Sequence, residues 1–251
     1  MNASLVAFYG TTPKPPGLRK LISEVQDILD RDQPLKFARY EMGQVHATIA
    51  GLEGLRVGNQ IVSTNYAQLR RSTRLLDLKA LAQLVQSSKH LPLTVRLGGF
   101  DPAHDYSFCS RGLHPAIRSF SIQGRMAVVM GWPVVGANFP PSLELLRRDL
   151  ARAGALHKYH ASEGEVDNDF FWVLGLIERR ERDRTVASAV QETLRKHISE
   201  SKAVDLVVDA DAVSFVAYAE TTLALGHTRQ FSLQEIAESP DVLSNLYEVA
   251  V

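Results

Sequence analysis

The chain has 251 residues, 45% of them hydrophobic and 22% charged, with 28 basic side chains balanced by 28 acidic ones. A chain of this size buries roughly 70–75% of its unfolded surface, so it can hold a core without disulfides. The zero net charge argues against a long nucleic-acid track, which calls for a basic surplus, and the single cysteine, Cys109, excludes an internal disulfide and suits a reducing, cytoplasmic setting. The opening Met1-Asn2-Ala3-Ser4-Leu5 lacks a basic n-region and a long apolar run, and no stretch approaches the ~18 apolar residues of a membrane span. Neither secretion nor a membrane partner is expected.

Leu5–Tyr9 is short and apolar and reads as a strand. Leu18–Leu29 carries Leu18, Leu21, Ile22, Val25, Ile28 and Leu29 at helical spacing. In Gln44–Ala50, Val45, Ala47 and Ile49 alternate with His46, Thr48 and Ala50, the period of a half-buried strand. Asp77–Gln86 is a helix by Leu78, Leu81, Leu84 and Val85, and Leu93–Leu97 alternates again. Phe100–Gly124 reads as a loop and hairpin, with Phe120-Ser121-Ile122 as an extra strand. Met126–Trp132 and Phe170–Ile177 are continuous apolar runs, as in buried strands. Ser142–Ala153 is expected to be a helix with Ser142 as N-cap and Gly154 as the stop. Val186–Ile198 is a further helix and Val213–Tyr218 a further strand. The mixed charge run Glu178–Arg184 reads as a solvated loop.

This order repeats. Pro15-Pro16-Gly17-Leu18 and Pro140-Pro141-Ser142-Leu143 stand 125 residues apart, and the same offset sets His46-Ala47-Thr48-Ile49-Ala50 against Phe171-Trp172-Val173-Leu174-Gly175. A matched helix start and a matched strand at one offset indicate internal duplication. The expected fold is α/β of the α+β type, a single bilobal domain over 1–251. Two strand-helix-strand-helix-strand halves would flank a central cleft: lobe one about 1–100, a connecting hairpin about 101–124, lobe two about 125–251.

His46 and Thr48 share one face of their strand, because side chains alternate with period two. An imidazole titrating near neutrality and a hydroxyl donor about 7 Å apart suit one small anion such as a phosphoryl group. The plainer reading of His46 is a polar residue on a solvent-facing strand. Arg96 on Leu93–Leu97 would add a guanidinium fork if it faces the same cleft. Arg39 reads as a surface arginine. Tyr218 is either a phosphate donor or a core tyrosine with a polar tip. His157, Lys158, Tyr159 and His160 read as an exposed segment, with His160 or Tyr159 able to bring a proton carrier to the cleft. The histidines have no paired spacing with cysteines, so no metal and no cofactor are expected. Leu97-Gly98-Gly99-Phe100 opens no helix and is rejected as a nucleotide loop.

The order of elements, with His46-Ala47-Thr48 on the central strand of the first half, resembles the 2H phosphoesterase superfamily, which includes RNA 2′,3′-cyclic phosphodiesterases and RNA ligase-like proteins. The resemblance spans nearly the whole chain. It implies a bilobal fold and a metal-free mechanism in which one His-x-Thr/Ser motif per lobe supplies a general base or acid and a phosphate-holding hydroxyl. His46 and Thr48 match the first motif. The second is degenerate: Phe171 stands in place of its histidine and Val173 in place of its hydroxyl. The resemblance therefore implies a protein that binds a phosphate-containing ligand, a nucleotide or an RNA 2′,3′-cyclic phosphate end. In an active version His46 transfers a proton and Thr48 holds the phosphate, with Arg96, Tyr218, Phe171 and His160 on the substrate. The alternative is a catalytically inactive ligand-binding or protein-interaction module of the same fold.

Overall fold

The computed structural model describes residues 1–31, 36–160, 162, 164–178 and 184–249. The protein is a mixed α/β fold built on one large antiparallel sheet. The first strand, β1 (Asn2–Ala7), leads to α1 (Pro16–Arg31), then β2 (Phe37–Arg39) and β3 (Ala47–Gly51). A small hairpin, β4 (Gly54–Val57) with β5 (Gln60–Ser63), precedes α2 (Thr64–Arg70), α3 (Leu78–Gln86) and β6 (Leu93–Leu97). Next come α4 (Pro115–Arg118), β7 (Phe120–Gln123), β8 (Met126–Pro133), α5 (Ser142–Ala151), β9 (Phe170–Ile177) and α6 (Arg184–Glu200). The chain closes with β10 (Val204–Val208), β11 (Val213–Tyr218), β12 (Thr228–Ser232), α7 (Leu233–Glu238) and α8 (Asp241–Ser244).

The sheet order is β10-β6-β8-β9-β3-β1-β11-β12, with β2 also on β9 and β7 also on β8. Both sides of the sheet draw strands from distant parts of the chain. β6 lies between β8 and β10, while β11 and β12 extend from β1. The centre is the junction of β3 and β9, where Ala47 pairs with Trp172.

Alternation divides the sheet into two faces. Phe170, Trp172 and Leu174 of β9 join the main core, as do Ala47 and Ile49 of β3 and Val95 and Leu97 of β6. Helix α1 contributes Leu18, Leu21, Ile22, Val25 and Leu29 to that core, lying against β2, β9 and β10. On the other face sit two smaller clusters. One joins Val6, Tyr9, Val216, Tyr218 and Leu223. The other joins Phe100, Val128, Met130 and Trp132, with Phe171 and Val173 packed against it.

Most expected elements occur where the residue pattern puts them, and the differences have local causes. Ser142 is the first helical residue rather than the cap, because Pro141 holds the cap position and leaves no side-chain oxygen to accept from the first turn. His46 lies just before β3, so the motif straddles the strand entrance. The segment 100–118 is no plain loop: Tyr106, Phe108 and Phe139 pack with Phe100 and Trp132 there. His157 and His160, expected at the surface, are 4% exposed each. Within the charge run Glu178–Arg184, positions 179–183 lie outside the described residues. No helix among the described residues is long and apolar enough to cross a membrane.

Candidate functional site

A cavity of about 220 Å³ opens on the second face, over the β3–β9 junction and between the two smaller clusters. His46 and Thr48 line it from β3, Phe171 and Val173 from β9, and Tyr218 from β11. Antiparallel pairing of Ala47 with Trp172 is what brings His46 and Thr48 beside Phe171 and Val173: the residues flanking each of the paired two turn to the same face.

His46 is 8% exposed and its Nδ1 lies 2.7 Å from the Gln44 carbonyl oxygen. A carbonyl only accepts, so Nδ1 carries the hydrogen and Nε2 keeps the lone pair. Burial lowers the His46 pKa from 6.5 to about 4; the Gln44 carbonyl recovers part of that shift and Lys14 adds to it. The imidazole is therefore a neutral acceptor at physiological pH. Its ring meets Tyr9 edge-on at 5.6 Å, and the Tyr9 hydroxyl donates to the Leu223 carbonyl at 2.8 Å. Ser4 and Tyr218 share a hydrogen bond of 3.0 Å between their hydroxyls on the cavity wall. Burial raises the Tyr218 pKa, which keeps the phenol protonated.

On β9 the Phe171 ring stacks with Tyr159 at 5.9 Å, and the Arg111 guanidinium lies 4.1 Å from the Tyr159 ring centroid and 5.8 Å from that of Phe171. Phe171 is thus held in a layered cation–aromatic stack and offers the cavity an apolar surface without a proton carrier.

Two expected site residues lie elsewhere. Arg96 faces β10 and pairs bidentately with Asp205, at 2.8 and 2.7 Å, away from the cavity. Cross-strand pairing consumes its fork. His160 is absent from the cavity wall; its Nε2 lies 2.6 Å from Glu144 Oε2. Its neighbours His157, Lys158 and Tyr159 do line the cavity. Arg39 is a surface residue paired with Asp27 and Asp30.

One buried residue on the cavity wall had no signal in the sequence pattern. A bulge in the pairing of β1 with β3 separates Ala50 from Thr48 and leaves Ile49 without an opposite residue on β1. Arg147 of α5, fully buried, fills the gap. It donates to the Thr48 and Ile49 carbonyls at 3.1 and 2.8 Å and to the Asp167 and Asp169 carbonyls at 2.8 and 3.2 Å. The guanidinium lies 3.5 Å from the Asp167 carboxylate. Burial would raise the Asp167 pKa, but the hydrogen bond from His157 and the Arg147 charge outweigh it and hold it at about 2. Asp169 accepts from Ser110, Arg118 and Trp132. Arg147 is thus spent on the protein, and the charged side chains left on the cavity wall are Lys158 and Glu53. Among the described residues no group of three or more His, Cys, Asp or Glu side chains could hold a metal ion. No protein-family model matches the chain, and no curated protein matches it.

Proposed function

We propose that this chain is a 2H phosphoesterase-like protein whose cavity binds a phosphate-containing ligand, a nucleotide or an RNA 2′,3′-cyclic phosphate end. The observation that carries the reading is the convergence of His46 and Thr48 on one cavity, with His46 Nε2 left unprotonated by the bond from Nδ1 to Gln44. In this reading His46 Nε2 accepts a hydrogen bond or a proton from the water that attacks the phosphoryl group, and Thr48 donates to a phosphoryl oxygen. The duplicated, bilobal layout belongs to the same proposal. Its support is that Ala47 pairs with Trp172, the residue 125 positions downstream, which the internal repeat makes its counterpart. A cytoplasmic setting also belongs to it, in keeping with one exposed free cysteine.

One observation favours binding without turnover. Each positioned acid or base is worth about 10²–10⁴ in rate, and Phe171, locked by Tyr159 and Arg111, stands where a second proton carrier is needed. The test is calorimetric titration with 2′,3′-cyclic nucleotides and inorganic phosphate, alongside a hydrolysis assay in chelator, for the wild type and His46→Ala. Binding that weakens at least tenfold in His46→Ala, with no product formed, is the expected result. Product formation that disappears in His46→Ala would establish the active version instead. Unchanged binding in His46→Ala would remove the cavity from consideration.

A further inference from the structure

We infer that Glu53 reads the base of the ligand, and that the cavity takes a guanine nucleotide in preference to other nucleotides. The inference rests on the phosphate-binding reading above. Glu53 lines the same cavity as His46 and Thr48, and among the described residues no cation lies within ion-pairing distance of it. Its carboxylate accepts one hydrogen bond of 2.8 Å from the Asn65 amide, which also donates to the Leu156 carbonyl at 3.0 Å. Asn65 thereby fixes the carboxylate without neutralising it.

The floor beneath is shaped for that carboxylate. The bulge in β3 brings Gly51 to the cavity wall together with Thr48, and a β-carbon at Gly51 would collide with the Glu53 carboxylate oxygens. Glycine lets the acidic group lie flat on the backbone. Thr48 lies opposite Val6 and Gly51 opposite Ser4, two β1 residues apart, so the Thr48 hydroxyl and the carboxylate above Gly51 stand roughly 7 Å apart along the sheet and within reach of one ligand. The cavity therefore has a phosphate end at His46 and Thr48 and an acceptor end at Glu53.

A carboxylate only accepts, and it binds best a partner with two adjacent N–H donors. When phosphate occupies the 2′ and 3′ oxygens, the ribose has no vicinal hydroxyls left to offer, which leaves the base. Guanine presents neighbouring donors at N1 and N2. Adenine and cytosine set a ring-nitrogen lone pair beside the amino group, facing the carboxylate unfavourably, and uracil flanks its single N–H with carbonyls.

The experiment is calorimetric titration of the wild type and Glu53→Gln with 2′,3′-cyclic GMP, 2′,3′-cyclic AMP and inorganic phosphate, with thermal melts as a folding control. Glu53→Gln keeps the shape and the contact with Asn65 while removing the charge. The wild type is expected to bind cyclic GMP at least tenfold more tightly than cyclic AMP, as a charge-assisted hydrogen bond provides. Glu53→Gln should erase that preference without weakening phosphate binding. Equal affinities in the wild type, or a preference that survives in Glu53→Gln, would overturn the base assignment while leaving the phosphate site intact. If no probe binds, the phosphate-site reading falls and the base assignment with it.

Discussion

The two imidazoles on the cavity wall are both held neutral by their surroundings. Burial brings His46 from 6.5 to about 4. Burial, reinforced by the Arg147 charge and opposed by Asp167, brings His157 to about 3. Each folded value lies below the unfolded one, so between the two the unfolded chain binds more protons than the folded one. The stability this contributes is complete above pH 6.5 and is lost as the pH falls towards 4 and 3. A denaturation series from pH 7 to pH 4 is therefore expected to show a steep decline, on the order of 3 kcal/mol for each histidine. His46→Gln and His157→Gln should each flatten that decline. A slope unchanged in both variants would show that these imidazoles are protonated in the folded protein.

At the scale of elements, the join between β3 and the segment that feeds β9 depends on one side chain. Arg147 supplies hydrogen bonds where the ladder lapses, and it compensates the buried Asp167. Arg147→Met keeps much of the volume and removes every donor. Leaving the buried Asp167 carboxylate without its buried countercharge and several carbonyls without donors is expected to cost about 3–5 kcal/mol, measurable by chemical denaturation. Loss below 1 kcal/mol would mean that water replaces the guanidinium. Elements themselves were largely legible in the residue pattern. β6 and β9 run from Leu93 to Leu97 and from Phe170 to Ile177, the limits of the alternation in the first and of the apolar run in the second, because burial imposes a short-range pattern on a strand. The β4–β5 hairpin and β12 were not anticipated. Their residues are mostly half-exposed or exposed, so burial imposes only a weak pattern on them.

At the scale of the whole molecule, the interleaved sheet ties distant segments into one folding unit. β1 lies between β3 and β11, and β6 lies between β8 and β10. Cutting the chain after Gly124 would strip β1 of β11 and β6 of both its neighbours. Exposed strand edges and a divided core disfavour either piece alone. Fragments 1–124 and 125–251 are expected to be unfolded by circular dichroism when separate and to regain the native spectrum when mixed. An independently folded fragment would show that the two halves are separate units.

From the sequence alone one obtains the mixed α/β class, the main helices and strands, and the pairing of His46 with Thr48 on one face. All of these follow from periodicities that span a few residues. Phe171 and Tyr218, expected at the cleft from the 125-residue offset and the closing strand, line the cavity. What only the tertiary structure decided is which charges remain free. Arg96 spends its fork on Asp205 across two strands, Arg147 is consumed by carbonyls of two segments, His160 turns to Glu144, and Glu53 is left facing the cavity. Each outcome depends on partners far away in the chain, and the energy of an ionic or hydrogen-bonded contact depends on that partner's position and on the burial of both groups. A local residue pattern records neither.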